Sequence, residues 1–293
     1  MKILFIGTVF FSKSILDVIL RSKNQIVGAI GKKNNNFNSD YFDIVKYSKA
    51  RNIQSIYSKN INSKQTAKWI RKKNPDLIFC IGWNNLLKKH ILKIPPKGVI
   101  GYHPSDLPLN RGRHPIIWSI ALGLKKIGST FYFMDKKADN GKIISKKILK
   151  IKKNINSDLL YKDLTRTGKK QVKKILISFS KGNIKSLKQK SIKPNFWRKR
   201  NFDDGKIDWR MSAFNIQNLI NALNKPYPGA HFILQNKKYI VWKSQIIKNK
   251  LKNIEPGKII KILNKDPIVK CGEDSIKLLN IKPKLNLEKI KYL

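Results

Sequence analysis

The sequence predicts an α/β chain: a parallel-rich sheet with flanking helices, followed by a small β-rich domain. Three observations carry this. Short apolar runs alternate with amphipathic ones through the first half. Beyond residue 206 the pattern changes to short alternating strands. Between the apolar residues Val99 and Ile100 and the apolar stretch of Ile116, Ile117, Trp118 and Ile120 lies a loop with two histidines, two arginines and three prolines. In an open α/β sheet, a loop at a strand end is where ligands bind.

Taken in order, residues 3–7 read as the first strand. A helix follows over 12–21, with Ser12 as its N-cap, and a second strand over 25–30. Residues 31–40 are an amide-rich loop and 41–51 a helix. Strands are expected at 53–57, 77–81 and 99–103, with a helix over 63–73 that stops before Pro75. Strands at 129–134 and 142–150 precede a long helix over 157–180. The spacing divides the chain into residues 1–185, a Pro- and Gly-containing linker over 186–206, and a β-rich domain over 207–293. In the last of these a helix over 212–223 leads into five short strands.

Composition narrows the class. The 293 residues are 41% hydrophobic, enough for a real core. The two cysteines, Cys80 and Cys271, provide neither a disulfide framework nor metal-ligand spacing, which points to a reducing cytoplasm and to no metal. The apolar opening run is too short for a signal peptide's core, and no run reaches the ~18 residues a membrane helix needs, so no membrane partner is expected. Sixty-three Lys and Arg against 17 Asp and Glu give a net charge of +46. Such a field attracts polyanions. The basic doublets, however, are spread along the chain, as solvated faces are, rather than gathered into one arm.

The chemistry centres on His103. An imidazole at a strand end needs a partner to set its tautomer, and Asp139, in the turn that continues into Asn140 and Gly141, is the best candidate. Asn140-Gly141 is expected to supply the positive φ of that turn.

At these residues the chain resembles the N10-formyltetrahydrofolate-dependent formyltransferases, whose pattern is Asn-x-His-x-Ser-Leu-Leu-Pro, then Arg-Gly, then Asp-x-Gly. His103 through Pro108, Arg111-Gly112, the strand of Thr130 and Asp139 through Gly141 follow it in order. Gly7-Thr8 with Phe11, the segment from Asp203 to Trp209, and Pro226 to Ala230 extend the similarity over nearly the whole chain. The resemblance implies a Rossmann-like catalytic domain, an OB-like second domain, and transfer of a formyl group from N10-formyltetrahydrofolate to a primary amine through a tetrahedral intermediate. The family's catalytic His and Asp fall on His103 and Asp139. Its folate-binding backbone positions fall on Asn84, Asn85, Leu86 and Leu87 and on Lys137, Ala138 and Asp139. One departure stands out: where the family has Asn two residues before the His, this chain has Gly101. Asn84, Asn85, a backbone N–H or water is expected to replace it as a donor.

The acceptor divides two readings. Methionyl-tRNA formyltransferases carry a basic loop after the second strand, but residues 31–40 here are amide-rich and contain no arginine. Such a loop is poorly suited to gripping phosphates. Ser39 to Tyr41 and Gly82-Trp83 look more like formyltransferases acting on nucleotide-linked amino sugars. For that acceptor, Arg111 and Arg113 would clamp the diphosphate, Ser105 would sit beside it, and Tyr41, Trp83 or Tyr102 would stack on the base or sugar. The tRNA reading keeps the net charge and the basic run of Arg198, Lys199 and Arg200. A third reading is an RNA-binding protein on an inactive scaffold, suggested by Gly101. A homodimer is left open.

Overall fold

The computed structural model describes residues 1–33, 39–288 and 290–293. Residues 34–38 of the amide-rich segment over 31–40 lie outside them. The chain forms two compact units. The first comprises Met1–Gly112, Ile127–Leu149 and Lys162–Trp197, and the second Arg113–Lys126, Lys150–Tyr161 and Arg198–Leu293.

Along the chain run β1 (Lys2–Gly7), α1 (Phe10–Leu20), β2 (Gln25–Gly31), α2 (Ile44–Lys49), β3 (Ser55–Tyr57), α3 (Lys64–Lys72), β4 (Leu77–Ile81), α4 (Lys89–Leu92) and β5 (Val99–His103). Then follow β6 (Arg111–Gly112), α5 (Pro115–Ala121), β7 (Lys126–Phe133), β8 (Ile143–Lys150), α6 (Ser157–Ser180) and β9 (Phe196–Trp197). The remainder is α7 (Ala213–Ala222), β10 (Ala230–Leu234), β11 (Lys237–Ile247), β12 (Ile259–Leu263), β13 (Asp266–Lys270) and β14 (Ser275–Lys282).

The first unit is built on a seven-stranded sheet in the order β3-β2-β1-β4-β5-β7-β8. The pairs from β3 to β5 are parallel, and β7 joins β5 antiparallel. β4 is buried along its whole length, as a central strand covered on both faces must be. Leu4, Ile6, Ile30, Ile78, Cys80 and Val99 pack one face of this core with Ala67 and Ile70 of α3. Burial pushes the thiols of Cys80 and Cys271 up to about 12, so both remain unreactive thiols at neutral pH.

Two local expectations are corrected. Ser12 does not cap α1: the cap is Val9, and Ser12 is the third residue of the helix. The hydroxyl is worth more there, accepting from the N–H groups of Thr8 and Val9 and donating to the Ile81 carbonyl at 2.7 Å, which ties the first βα turn to β4. α2 begins only at Ile44, because Asp43 caps it by accepting from the Lys46 N–H.

In the second unit β10-β11-β14-β13-β12 form an antiparallel sheet. Phe232, Val241, Val269, Ile276 and Leu278 form its buried side. α7 is capped by Ser212, whose hydroxyl accepts from the Asn215 N–H. Among the described residues no helix is long and apolar enough to cross a membrane.

Candidate active site

The pleat of β5 decides what His103 meets. Gly101, Tyr102 and His103 stand opposite Tyr132, Phe131 and Thr130 of β7. Alternate residues share a face, so Gly101, His103, Thr130 and Tyr132 line one side, and Tyr102 and Phe131 the other. Tyr102 is consequently packed against Phe11 at 4.2 Å and Phe131 at 4.8 Å, with its hydroxyl 3.2 Å from that of Ser129. Burial raises the pKa of its phenol, and it sits on the face away from the imidazole.

His103 is buried, with a side-chain exposure of 8%. Its Nε2 donates to the Asn110 carbonyl at 3.0 Å, and its Nδ1 lies 3.7 Å from Asp139 Oδ1. Both ring nitrogens therefore face acceptors. The carbonyl on one side and the carboxylate on the other fix the orientation of the ring.

Asp139 is held by its turn. Its own φ is +53°, so the positive-φ residue is Asp139 and not Asn140-Gly141 as expected. Asp tolerates this conformation because its short polar side chain finds local donors. Gly141 is required for a different reason: a Cβ there would lie 1.6 Å from the Phe133 carbonyl oxygen. The carboxylate accepts from the Tyr132 hydroxyl at 2.8 Å on Oδ1 and from the Gly112 N–H at 3.4 Å on Oδ2.

The loop after β5 is braced by a returning segment. Asn195 accepts from the Asn110 N–H and donates to the Asn110 side chain, both at 2.8 Å. β6 and β9 pair in parallel, so Gly112, at φ +100°, runs where a Cβ would strike the Trp197 carbonyl at 2.3 Å. Arg111 is buried, donates to Gln189 at 2.7 Å, lies over Phe196, and leaves its Nε without a partner. Ser105 is 1% exposed and turned inward, donating to the Leu109 carbonyl while its own carbonyl accepts from Thr130.

The segment after β4 is organised by Lys32. Its ammonium donates to the side-chain oxygens of Asn84 and Asn85 and lies 4.5 Å from the centre of the Trp83 ring. The Tyr41 hydroxyl donates to the Lys32 carbonyl at 2.9 Å. Leu86 is exposed and Leu87 buried in the core. Lys137 and Ala138 are exposed on the Asp139 turn, where the Lys137 N–H donates to Asp135.

Arg113 and His114 belong to the second unit. Burial, then the positive charge of Arg200, holds the His114 imidazole below its ordinary pKa. The basic run there is partly committed: Arg198 forms a two-pronged ion pair with Asp204, and Arg200 donates to the Asp204 carbonyl.

Sequence reasoning passed over Tyr132, Asn110, Gln189 and Asn195. Strand parity offered one signal, since Tyr132 shares the period of Thr130 on β7. No local pattern marks Gln189 or Asn195, which reach the site across 50 and 85 residues of chain. Among the described residues no group of three or more His, Cys, Asp or Glu is placed to hold a metal.

Comparison with known proteins adds two family models: "Formyl transferase" matches residues 1–176, and "Formyl transferase, C-terminal domain" matches residues 201–290. The chain is 37% identical over 258 residues to the bifunctional polymyxin resistance protein ArnA of Wigglesworthia glossinidia brevipalpis, covering 85% of this chain but only 39% of that protein. It is 27% identical to the methionyl-tRNA formyltransferase of Caldanaerobacter subterraneus subsp. tengcongensis over 96% of this chain and 92% of the relative. Among solved structures it is similar to WlaRD, a sugar 3N-formyl transferase crystallised with dTDP and 5-N-formyl-THF, at TM-score 0.72 and 21% identity over 97% of this chain and 99% of that one. An N-formyltransferase from Helicobacter canadensis, in complex with folinic acid and dTDP-3-aminofucose, also gives TM-score 0.72, at 18% identity over 95% of this chain and 98% of that one.

Proposed function

This chain belongs to the formyl transferase family, and we propose that it transfers a formyl group from N10-formyltetrahydrofolate to the primary amine of a nucleotide-linked amino sugar. The observation that carries the transfer is the buried His103 between Asp139 and the Asn110 carbonyl. An attacking amine must be neutral and must lose a proton as its nitrogen bonds to the formyl carbon and the bond to N10 breaks. His103 takes up that proton, and the two flanking acceptors stabilise the imidazolium until the proton passes on to N10. Asp139 orients the ring.

In this reading residues 1–185 carry the chemistry, 186–206 connect, and 207–293 form an accessory domain. Asn84, Asn85, Leu86 and Leu87 with Lys137, Ala138 and Asp139 hold the pterin of the formyl donor. The amine acceptor meets the loop of Arg111. Support for a sugar acceptor comes from the arginine-free residues 31–40 and from the similarity to sugar N-formyltransferases.

The second reading, formylation of methionyl-tRNA, is favoured by the near full-length match to such an enzyme and by the net charge of +46. Release of tetrahydrofolate from N10-formyltetrahydrofolate separates the two, with methionyl-tRNA and a panel of nucleotide-linked 3- and 4-amino sugars offered in parallel. Turnover with a sugar supports the first reading, and turnover with methionyl-tRNA alone replaces it with the second. Silence with every acceptor, together with tight salt-dependent RNA binding, would favour an inactive scaffold.

A further inference from the structure

Gly101 and Tyr132 are direct cross-strand partners on the face that carries His103. A Cβ placed on Gly101 would lie 2.9 Å from Met134 Cγ, 3.0 Å from Tyr132 Cζ and 3.1 Å from Tyr132 Oη. The phenol thus lies across the glycine and fills the room that a longer residue at 101 would need. An asparagine there and this tyrosine pose exclude one another sterically.

The phenol is not merely filler. Tyr132 is 4% exposed, and its hydroxyl donates at 2.8 Å to Asp139 Oδ1, the same oxygen that lies 3.7 Å from His103 Nδ1. Of the two donors that the described residues place on this carboxylate it is much the closer, the Gly112 N–H standing at 3.4 Å. Burial and the neighbouring Asp139 charge hold the Tyr132 pKa well above its ordinary value, so the hydroxyl keeps its proton at neutral pH. With one proton, already given to Asp139, it acts on the carboxylate and not on the reacting atoms.

We propose that Tyr132 is a positioning residue for the transfer: admitted by the glycine at 101, its hydroxyl fixes Asp139 Oδ1 against the His103 imidazole. The chain has given up a side chain on β5 and taken a hydroxyl from β7 in the same space. The proposal rests on the formyl-transfer reading only for its effect on rate. The hydrogen bond and its effect on the imidazole stand apart from it.

Tyr132→Phe removes the hydroxyl and keeps the ring. Its kcat is expected to fall at least tenfold, with KM for donor and acceptor within twofold of the parent and the melting temperature close to it. In ¹⁵N NMR spectra the His103 ring nitrogens should shift, and Asp139→Asn should shift the same resonances. Gly101→Ala retains the hydroxyl but pushes the ring, and should give the same loss and the same shift. A Tyr132→Phe enzyme with parental kcat, or with unmoved His103 resonances, would overturn the proposal. A parent protein that turns over no formyl donor, while Tyr132→Phe still shifts the His103 resonances, would sink the formyl-transfer reading and leave the positioning role standing.

Discussion

Gln189 accepts a hydrogen bond from Arg111 Nη2 at 2.7 Å, and its amide donates to the carbonyls of Asp139 at 2.8 Å and Gly141 at 3.0 Å. One side chain thus fixes the buried Arg111 and the turn that carries the carboxylate. Gln189→Leu keeps the volume and removes all three bonds, leaving a buried guanidinium short of a partner. A loss of ~1–3 kcal/mol in stability is expected, read by urea unfolding, together with a lower kcat. A variant with parental stability and rate would show that Gln189 is passive.

His103→Ala and Asp139→Asn test the proposed proton acceptor and its orienting carboxylate directly. Each is expected to lower kcat by ~10²- to 10⁴-fold, with an unchanged circular dichroism spectrum. Near-parental turnover in either would remove that residue from the reaction.

Gly141→Ala places a methyl carbon where the Phe133 carbonyl oxygen stands, a separation of 1.6 Å that a backbone atom cannot relieve by rotating. The Asp139 turn must open. A lower melting temperature and loss of turnover are expected together, and a calorimetric scan matching the parent's would contradict the geometry.

Lys32 bridges Asn84 and Asn85 and covers Trp83, so it shapes the segment proposed to hold the pterin. In Lys32→Met, KM for the formyl donor should rise about tenfold, equivalent to ~1.4 kcal/mol, with little change in KM for the acceptor. Equal changes in both constants would place Lys32 elsewhere in the reaction.

Acid stability carries a signature of Asp204. The hydrogen bond from Arg198 lowers its pKa from 3.8 to about 2. A carboxylate depressed in the folded state contributes stability that is fully present above its unfolded pKa and is lost as pH falls through the folded value. The contribution therefore disappears between about pH 4 and pH 2. Melting temperatures of the parent and Asp204→Asn should differ at pH 6 and converge at pH 2. A constant difference would mean that the pair contributes nothing to acid stability.

The sheet and the positions of its main loops were legible because they follow from local period. β4 and β5 fall at the residues expected, since a run of apolar residues bounded by turn formers has few other ways to be buried. His103 and Asp139 were found by an ordered motif, each within its own short segment. Ser12 and Asn140-Gly141 show where local reasoning stops. A serine near a helix start and a residue with positive φ were both expected, but the tie to β4 and the clash with Phe133 are contacts across the fold.

The sequence by itself determined the α/β class and the β-rich end and pointed to His103 and Asp139 as neighbours, because burial period and short motifs are written in neighbouring residues. Only the tertiary structure decided that Tyr132 lies over Gly101, that Gln189 and Asn195 return to brace the loops, and that Tyr102 faces away from His103. The physical reason is register. Which side chains meet is set by how strands pair and where the chain comes back, and a one-residue shift would turn each of them to the opposite face.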